Sequence, residues 1–221
     1  MVKETKIQSS DILFFDSKHY TGMTELKVFL HFLNAMNVQR PFRFSFVESQ
    51  ALMLPQLTLK QNIMLDSMPH SFHDKNDDLL ENLITQKSNP FILEIYKSLS
   101  FLDSKPCEVD QEHLKLAGLL KGLISDGDYL LLSQPEKHLS EEKLKMVIRA
   151  INLECHSQNK IAFISSPTGN TWLPHITKQV IKNDKAEFIV RPMLKIISDQ
   201  PTQTQGHFEI RSSHLNQKKV A

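Results

Sequence analysis

The sequence predicts an α/β fold with a mostly parallel central sheet flanked by helices. Three observations carry that expectation. The runs DILFF (Asp11 to Phe15), YLLL (Tyr129 to Leu132) and IAFI (Ile161 to Ile164) are apolar at almost every position, as strands covered on both faces require. Between the strands lie long stretches whose apolar residues recur three and four apart. A chain of 221 residues that is 40% hydrophobic and 23% charged has globular composition and suits one domain with a substantial core. That single domain is placed at residues 1–197, with a helical insertion at about 64–126 and a polar tail at 198–221.

Each element follows from its local pattern. Asp11 to Phe15 reads as a buried strand. TELKVFLHFLNAM sets Leu26, Phe29, Leu30, Leu33 and Met36 on one helical face, and Thr24 or Thr21 is placed to cap it. FRFSFV (Phe42 to Val47) alternates as a strand. The loop ESQALMLPQ leads to a short helix with Thr58 as its cap. A helix is expected around Asp77 to Thr85 inside a polar stretch, then two more at Pro90 to Leu102 and Gln111 to Ile124. Gly127 is expected to break the second of these before the strand Tyr129 to Leu132. Leu139-Ser140-Glu141-Glu142 opens a helix carrying Leu144, Val147, Ile148 and Ile151 on one face. Ile161 to Ile164 is the next strand, and ITKQVIKNDKAEFIV reads as a hairpin turning at Asn183-Asp184-Lys185.

The bulk properties exclude several classes. A net charge of +1 gives no global electrostatic case for nucleic acid or an anionic membrane surface, and Lys218-Lys219 is too short to supply one. Cys107 and Cys155 form no disulfide framework or CxxC pair, which suits a reducing compartment. The first residues lack the apolar core of a signal peptide, and no apolar run is long enough to span a bilayer. The expectation is a cytoplasmic protein with no direct membrane insertion, held near a membrane only through a protein partner. Six glycines in 221 residues is a low count. Loops that cradle phosphates need glycine so that backbone N–H groups can approach the anion.

Other constellations favour plain readings. His70 and His73 near Asp74 and Asp77 read as a solvated loop before a metal site, and no metal or cofactor is expected. Cys155-His156 lies at a helix end and reads as an inert cysteine. Ser165-Ser166-Pro167-Thr168-Gly169 reads as a strand-to-loop exit. There is no GxSxG elbow for a serine hydrolase. Phe29, Phe32 and Leu33 belong to the core. Trp172, the only tryptophan, reads equally as a partner-binding anchor or as packing over the sheet.

Three stretches in this order are more specific. VESQALMLPQLTLKQNIML contains Leu54-Pro55, Leu57-Thr58 and Asn62-Ile63 at fixed spacing. LAGLLKGLISDGDYLLLSQPE joins a helix to an apolar strand that ends in Ser-Gln-Pro. KIAFISS is an apolar strand that ends in Ser-Ser. Together they resemble the Q-loop, Walker B and switch regions of the nucleotide-binding domain of ABC transporters, over about residues 10 to 195. The resemblance implies a P-loop ATPase-like fold. It also implies an N-terminal β-subdomain that is shortened here, since about twenty residues precede Gly22.

At the family's catalytic positions the residues differ. The Walker A segment aligns with SKHYTGMTEL, where Gly22 persists, Met23 stands at the lysine position and Thr24 at the metal-binding hydroxyl. Ser133 and Gln134 stand where the Walker B Asp and the catalytic Glu are implied. Ser49 falls on the Q-loop glutamine, with Gln50 beside it. Val109-Asp110-Gln111-Glu112-His113 aligns with the signature, Ser140 with the D-loop Asp and Ser166 with the switch histidine. Serine and glutamine do not ionise, so they supply neither a metal carboxylate nor a general base. The resemblance therefore implies a non-catalytic ABC-ATPase-like protein, with no catalytic residue and no cofactor. Its implied role is scaffold or adaptor in a membrane-associated transport or protein-secretion complex. The implied partners are other protein subunits, a transmembrane component among them, and not nucleic acid. Gln50, Leu54, Pro55, Leu57, Phe91 and Trp172 are the candidate partner-binding residues. A module that binds nucleotide without hydrolysing it is the alternative.

Overall fold

The computed structural model describes residues 7–16, 24–36, 42–65, 79–182 and 187–193. Six strands form one sheet: β1 (Ile12–Asp16), β2 (Phe44–Val47), β3 (Tyr129–Ser133), β4 (Ile161–Ser166), β5 (Lys178–Lys182) and β6 (Phe188–Pro192). Their order is β2-β3-β4-β1-β5-β6. Every pairing is parallel except β5 with β6. The expected mostly parallel α/β architecture is observed.

The apolar runs explain why the sheet is covered twice. In β1, Ile12 and Phe14 face one core, while Leu13 and Phe15 face the other. On the second face, helix α1 (Glu25–Ala35) buries Val28, Phe29, Phe32 and Leu33. Phe15 meets the Phe29 and Phe32 rings edge-on at 5.3 and 5.2 Å, geometry favoured by the ring quadrupoles. The first face carries α2 (Leu59–Met64), α3 (Leu79–Gln86), α4 (Pro90–Lys97), α5 (Gln111–Ile124) and α6 (Glu141–Gln158), which share one core with Leu130, Leu132, Ala162 and Ile164. A four-residue α7 (Gly169–Trp172) follows β4.

Several boundaries differ from the sequence reading, each for a local reason. The strand of the alternating FRFSFV run, β2, starts at Phe44, not Phe42. Helix α4 stops at Lys97 instead of reaching Leu102, and Phe101 adopts a left-handed backbone with φ 63. Residues 102 and 104 then accept backbone bonds from Lys60 and Leu59, which fastens this loop to α2. Gly127 does not cap α5, because the helix ends at Ile124 with Ser125 as its C-cap. Its glycine is required by close approach: a Cβ there would lie 3.2 Å from the Phe44 backbone. Thr24 holds the N-cap position of α1 without a side-chain cap bond, whereas Thr58 caps α2 in a full capping box with Gln61. The β5–β6 hairpin is present, and its turn at 183–185 lies outside the described residues.

Two buried ion pairs brace the other end of the sheet. Lys178 pairs with Asp11 across β5 and the start of β1. Lys160 pairs with Glu154 at 2.8 Å, and Glu154 also accepts from Asn89, the N-cap of α4. That net ties α4 to α6 and the start of β4 with its charges compensated.

Candidate functional site

In open α/β sheets, ligands bind beyond the carboxyl ends of the strands. Here β2, β3 and β4 bring Glu48, Ser133 and Ser166 to that edge, and α1 starts nearby. Gly22 and Met23 lie outside the described residues. Thr24 is exposed at the N-cap of α1, and Glu25 fills the first turn.

Ser133 ends β3 fully buried, and its Oγ is a buried polar atom without a hydrogen-bond partner among the described residues. Gln134 turns the chain with φ 42, in the left-handed region that a non-glycine residue adopts at a cost. Its backbone N–H donates to the Ser165 carbonyl at 2.7 Å, and its Nε2 reaches Glu25 Oε1 at 3.5 Å.

Two charged residues that the sequence reading did not single out organise this end. Glu136 accepts from the hydroxyls of Ser166 and Thr168 and from the indole Nε1 of Trp172, the last two at 2.9 Å. The turn after β3 is thereby knotted to the loop after β4. Lys115, 1% exposed on α5, donates to the carbonyls of Glu48 at 2.7 Å, Ser133 at 3.1 Å and Ser49 at 3.3 Å. Burial pushes its pKa from 10.5 down to about 8, while the nearby Glu136 and Glu25 charges favour the protonated form.

Trp172 takes the packing alternative. It is 1% exposed within the core, with its one polar atom satisfied by Glu136, so its side chain does not present to a partner. The signature-like segment begins α5. Asp110 caps the helix through the His113 N–H at 2.9 Å and also meets the His113 imidazole. The His113 backbone N–H bond and then its side chain hold the Asp110 carboxyl below its ordinary value. A carboxylate therefore already occupies the anion-favouring helix end. Glu112 accepts the Ser140 N–H at 2.7 Å and joins this turn to the start of α6.

The segment 48–63 shows why Asn62 follows Leu54-Pro55 and Leu57-Thr58 at fixed spacing. Asn62, 1% exposed, accepts from the Leu54 N–H at 2.7 Å and donates to the carbonyls of Leu54, Leu57 and Thr58. One buried amide thus folds the whole loop. The loop presents apolar surface: Leu52 is 72% and Leu54 41% exposed, beside exposed Gln50 and Pro55 and half-buried Leu57. A groove of about 370 Å³ runs beside them, lined by Phe44, Glu48, Leu52, Gly118 and Lys121 among others. Phe91, half-buried at the start of α4, packs under the Arg149 guanidinium at 5.8 Å.

Among the described residues no group of three or more His, Cys, Asp or Glu could hold a metal. His70, His73, Asp74 and Asp77 lie outside them. Cys155 is buried, and burial pushes its thiol up to about 12, so it is not nucleophilic at neutral pH. No helix among the described residues is long and apolar enough to cross a membrane.

No protein-family model matches the chain, and no curated protein matches its sequence. Solved structures do match its fold. An ABC transporter of metal-chelate type in an inward-facing conformation aligns at TM-score 0.58 and 16% identity, over 85% of this chain and 74% of that one. The ATP-binding subunit of an ABC transporter aligns at TM-score 0.58 and 12% identity, over 80% of this chain and 76% of that one. A dimeric ATP-binding cassette in a post-hydrolysis state with ADP and Pi aligns at TM-score 0.57 and 12% identity, over 80% and 82%. The order of strands, the helices on both faces and these alignments together make the fold of this chain that of the ATP-binding domains of ABC transporters.

Proposed function

We propose that this chain is a non-catalytic protein of ABC-ATPase fold that serves as a scaffold or adaptor subunit in a membrane-associated transport or protein-secretion complex. The observation that carries this reading is the end of β3. A magnesium nucleotide needs an acidic ligand there, and Ser133 supplies a buried neutral hydroxyl instead. The polar space around it is filled by this chain's own groups, Lys115 on the carbonyls of 48, 49 and 133, and Glu136 on the hydroxyls of 166 and 168. Glu25 and Glu136 add negative charge at this end of the sheet, and like charges repel. Among the described residues, this end of the sheet does not fit a magnesium nucleotide.

The docking face in this reading is the loop from Gln50 to Leu57, where Leu52 and Leu54 expose apolar surface, with Phe91 on α4 as a further candidate contact. Its partner is another protein subunit, a transmembrane component being the first candidate. Nucleotide binding without hydrolysis is the second reading, favoured by one observation: the Thr24 hydroxyl at the N-cap of α1 makes no cap bond.

Mild affinity purification from the native source tests the scaffold reading. It predicts a stoichiometric protein partner that the double substitution Leu52→Asp and Leu54→Asp releases without unfolding the chain. Recovery of the unaltered protein alone and monomeric contradicts it.

A further inference from the structure

The polar interior beneath the loops holds Lys115, whose charge is met by main-chain carbonyls. Lys115 projects from the first turns of α5 into the gap between the ends of β2 and β3. Its three acceptors, Glu48, Ser49 and Ser133, belong to two separate chain segments. All three are main-chain carbonyls, the ligand type by which a protein holds a cation without a formal counter-charge.

We propose that Lys115 is a tethered ammonium that fixes the root of the 48–57 loop to the end of β3, so that this loop is set by the chain itself and needs no bound cation or nucleotide. Several features agree with that role. Lys115 is 1% exposed, so water does not compete for its donors. An ammonium has three donors, and three carbonyls satisfy them. Its pKa of about 8 keeps it protonated at neutral pH, with Glu136 and Glu25 supporting the charge. The neighbouring Asn62 amide folds the far half of the same loop, from Leu54 to Thr58. Lys115 and Asn62 thus anchor its two ends. Lys115 is a positioning residue here, acting through the loop it holds. This inference extends the scaffold reading, because a permanently set docking face suits a static adaptor. The geometry of the loop is nevertheless measurable without any partner.

Amide hydrogen exchange on Lys115→Met and on the unaltered protein tests it. Methionine keeps the volume and removes the charge, a replacement that folded chains commonly tolerate. Protection of residues 48–54 and 133–134 is expected to fall about ten-fold or more, while residues 80–97 in α3 and α4 keep theirs. Unchanged protection at 48–54 overturns the proposal. If Lys115→Met does not fold, nitrogen-15 NMR of the unaltered protein decides. A lysine ammonium with slowly exchanging protons, absent from no other variant than those at position 115 such as Lys115→Arg, is expected. A spectrum of the unaltered protein with only fast-exchanging lysine ammonium protons overturns it. Recovery of the unaltered protein alone and monomeric overturns the scaffold reading without touching the loop protection measured here, so the two failures are distinct.

Discussion

Glu136 and Lys115 are where the chemistry of single residues matters most. The Glu136 carboxylate holds Ser166, Thr168 and Trp172 together. Glu136→Ala should cost about 2–3 kcal/mol, since it strands a buried indole N–H and removes charge-assisted bonds. Trp172, the only tryptophan, reports the change directly, and its emission should shift to the red in the folded variant. An unshifted spectrum contradicts the knot. For Lys115 the sign of the pH effect follows from linkage. Its folded pKa of about 8 lies below the ordinary 10.5, so between those values the unfolded chain binds more protons and stability rises with pH. Burial sets that depression, with Lys137 adding to it and Glu136 and Glu25 opposing it. Cys155 acts oppositely: its thiol is raised from 9.0 to about 12, so above 9.0 its titration lowers stability. The Lys115 contribution is therefore read between about pH 7.5 and 9 as a gain of about 1 kcal/mol, which denaturant melts of Lys115→Met should lack. Neither residue stood out in the sequence. Lys115 lies 67 positions from Glu48, and Glu136 lies 36 from Trp172, so only the tertiary fold reveals what they hold.

At the scale of elements, the strands were legible and the turns less so. DILFF, YLLL and IAFI are apolar on both faces because helices cover both, and each formed the expected strand. The end of α4 is not legible in the sequence, because apolar spacing continues through Leu99 and Leu102 while the chain leaves the helix for a left-handed Phe101. Gly127 was read as a helix stop but is needed for contact with the Phe44 backbone. Close packing of α5 on β2 gives a test at this scale. A Cβ on Gly122 would lie 2.5 Å from Val47 Cγ2. Gly122→Ala should push α5 from β2 and lower stability by about 1–3 kcal/mol despite alanine's better helix propensity. A chemical melt showing equal or greater stability contradicts that packing.

At the scale of the whole molecule, the strand order places the ends of β2, β3 and β4 together at one edge, in a fold shared with the ATP-binding domains of ABC transporters. Across that edge lie a buried serine, a carbonyl-bound ammonium and two glutamates. The same reading gives the exposed Leu52 and Leu54 to a protein partner. The Leu-Pro, Leu-Thr and Asn-Ile spacing was visible in the sequence, and its cause, the Asn62 amide that folds the loop, was not. The most direct measurement is isothermal titration of the purified full chain with magnesium-ATP. The account predicts no saturable binding up to about 1 mM nucleotide, an affinity weaker than about 4 kcal/mol. Saturable binding in the low micromolar range would contradict it.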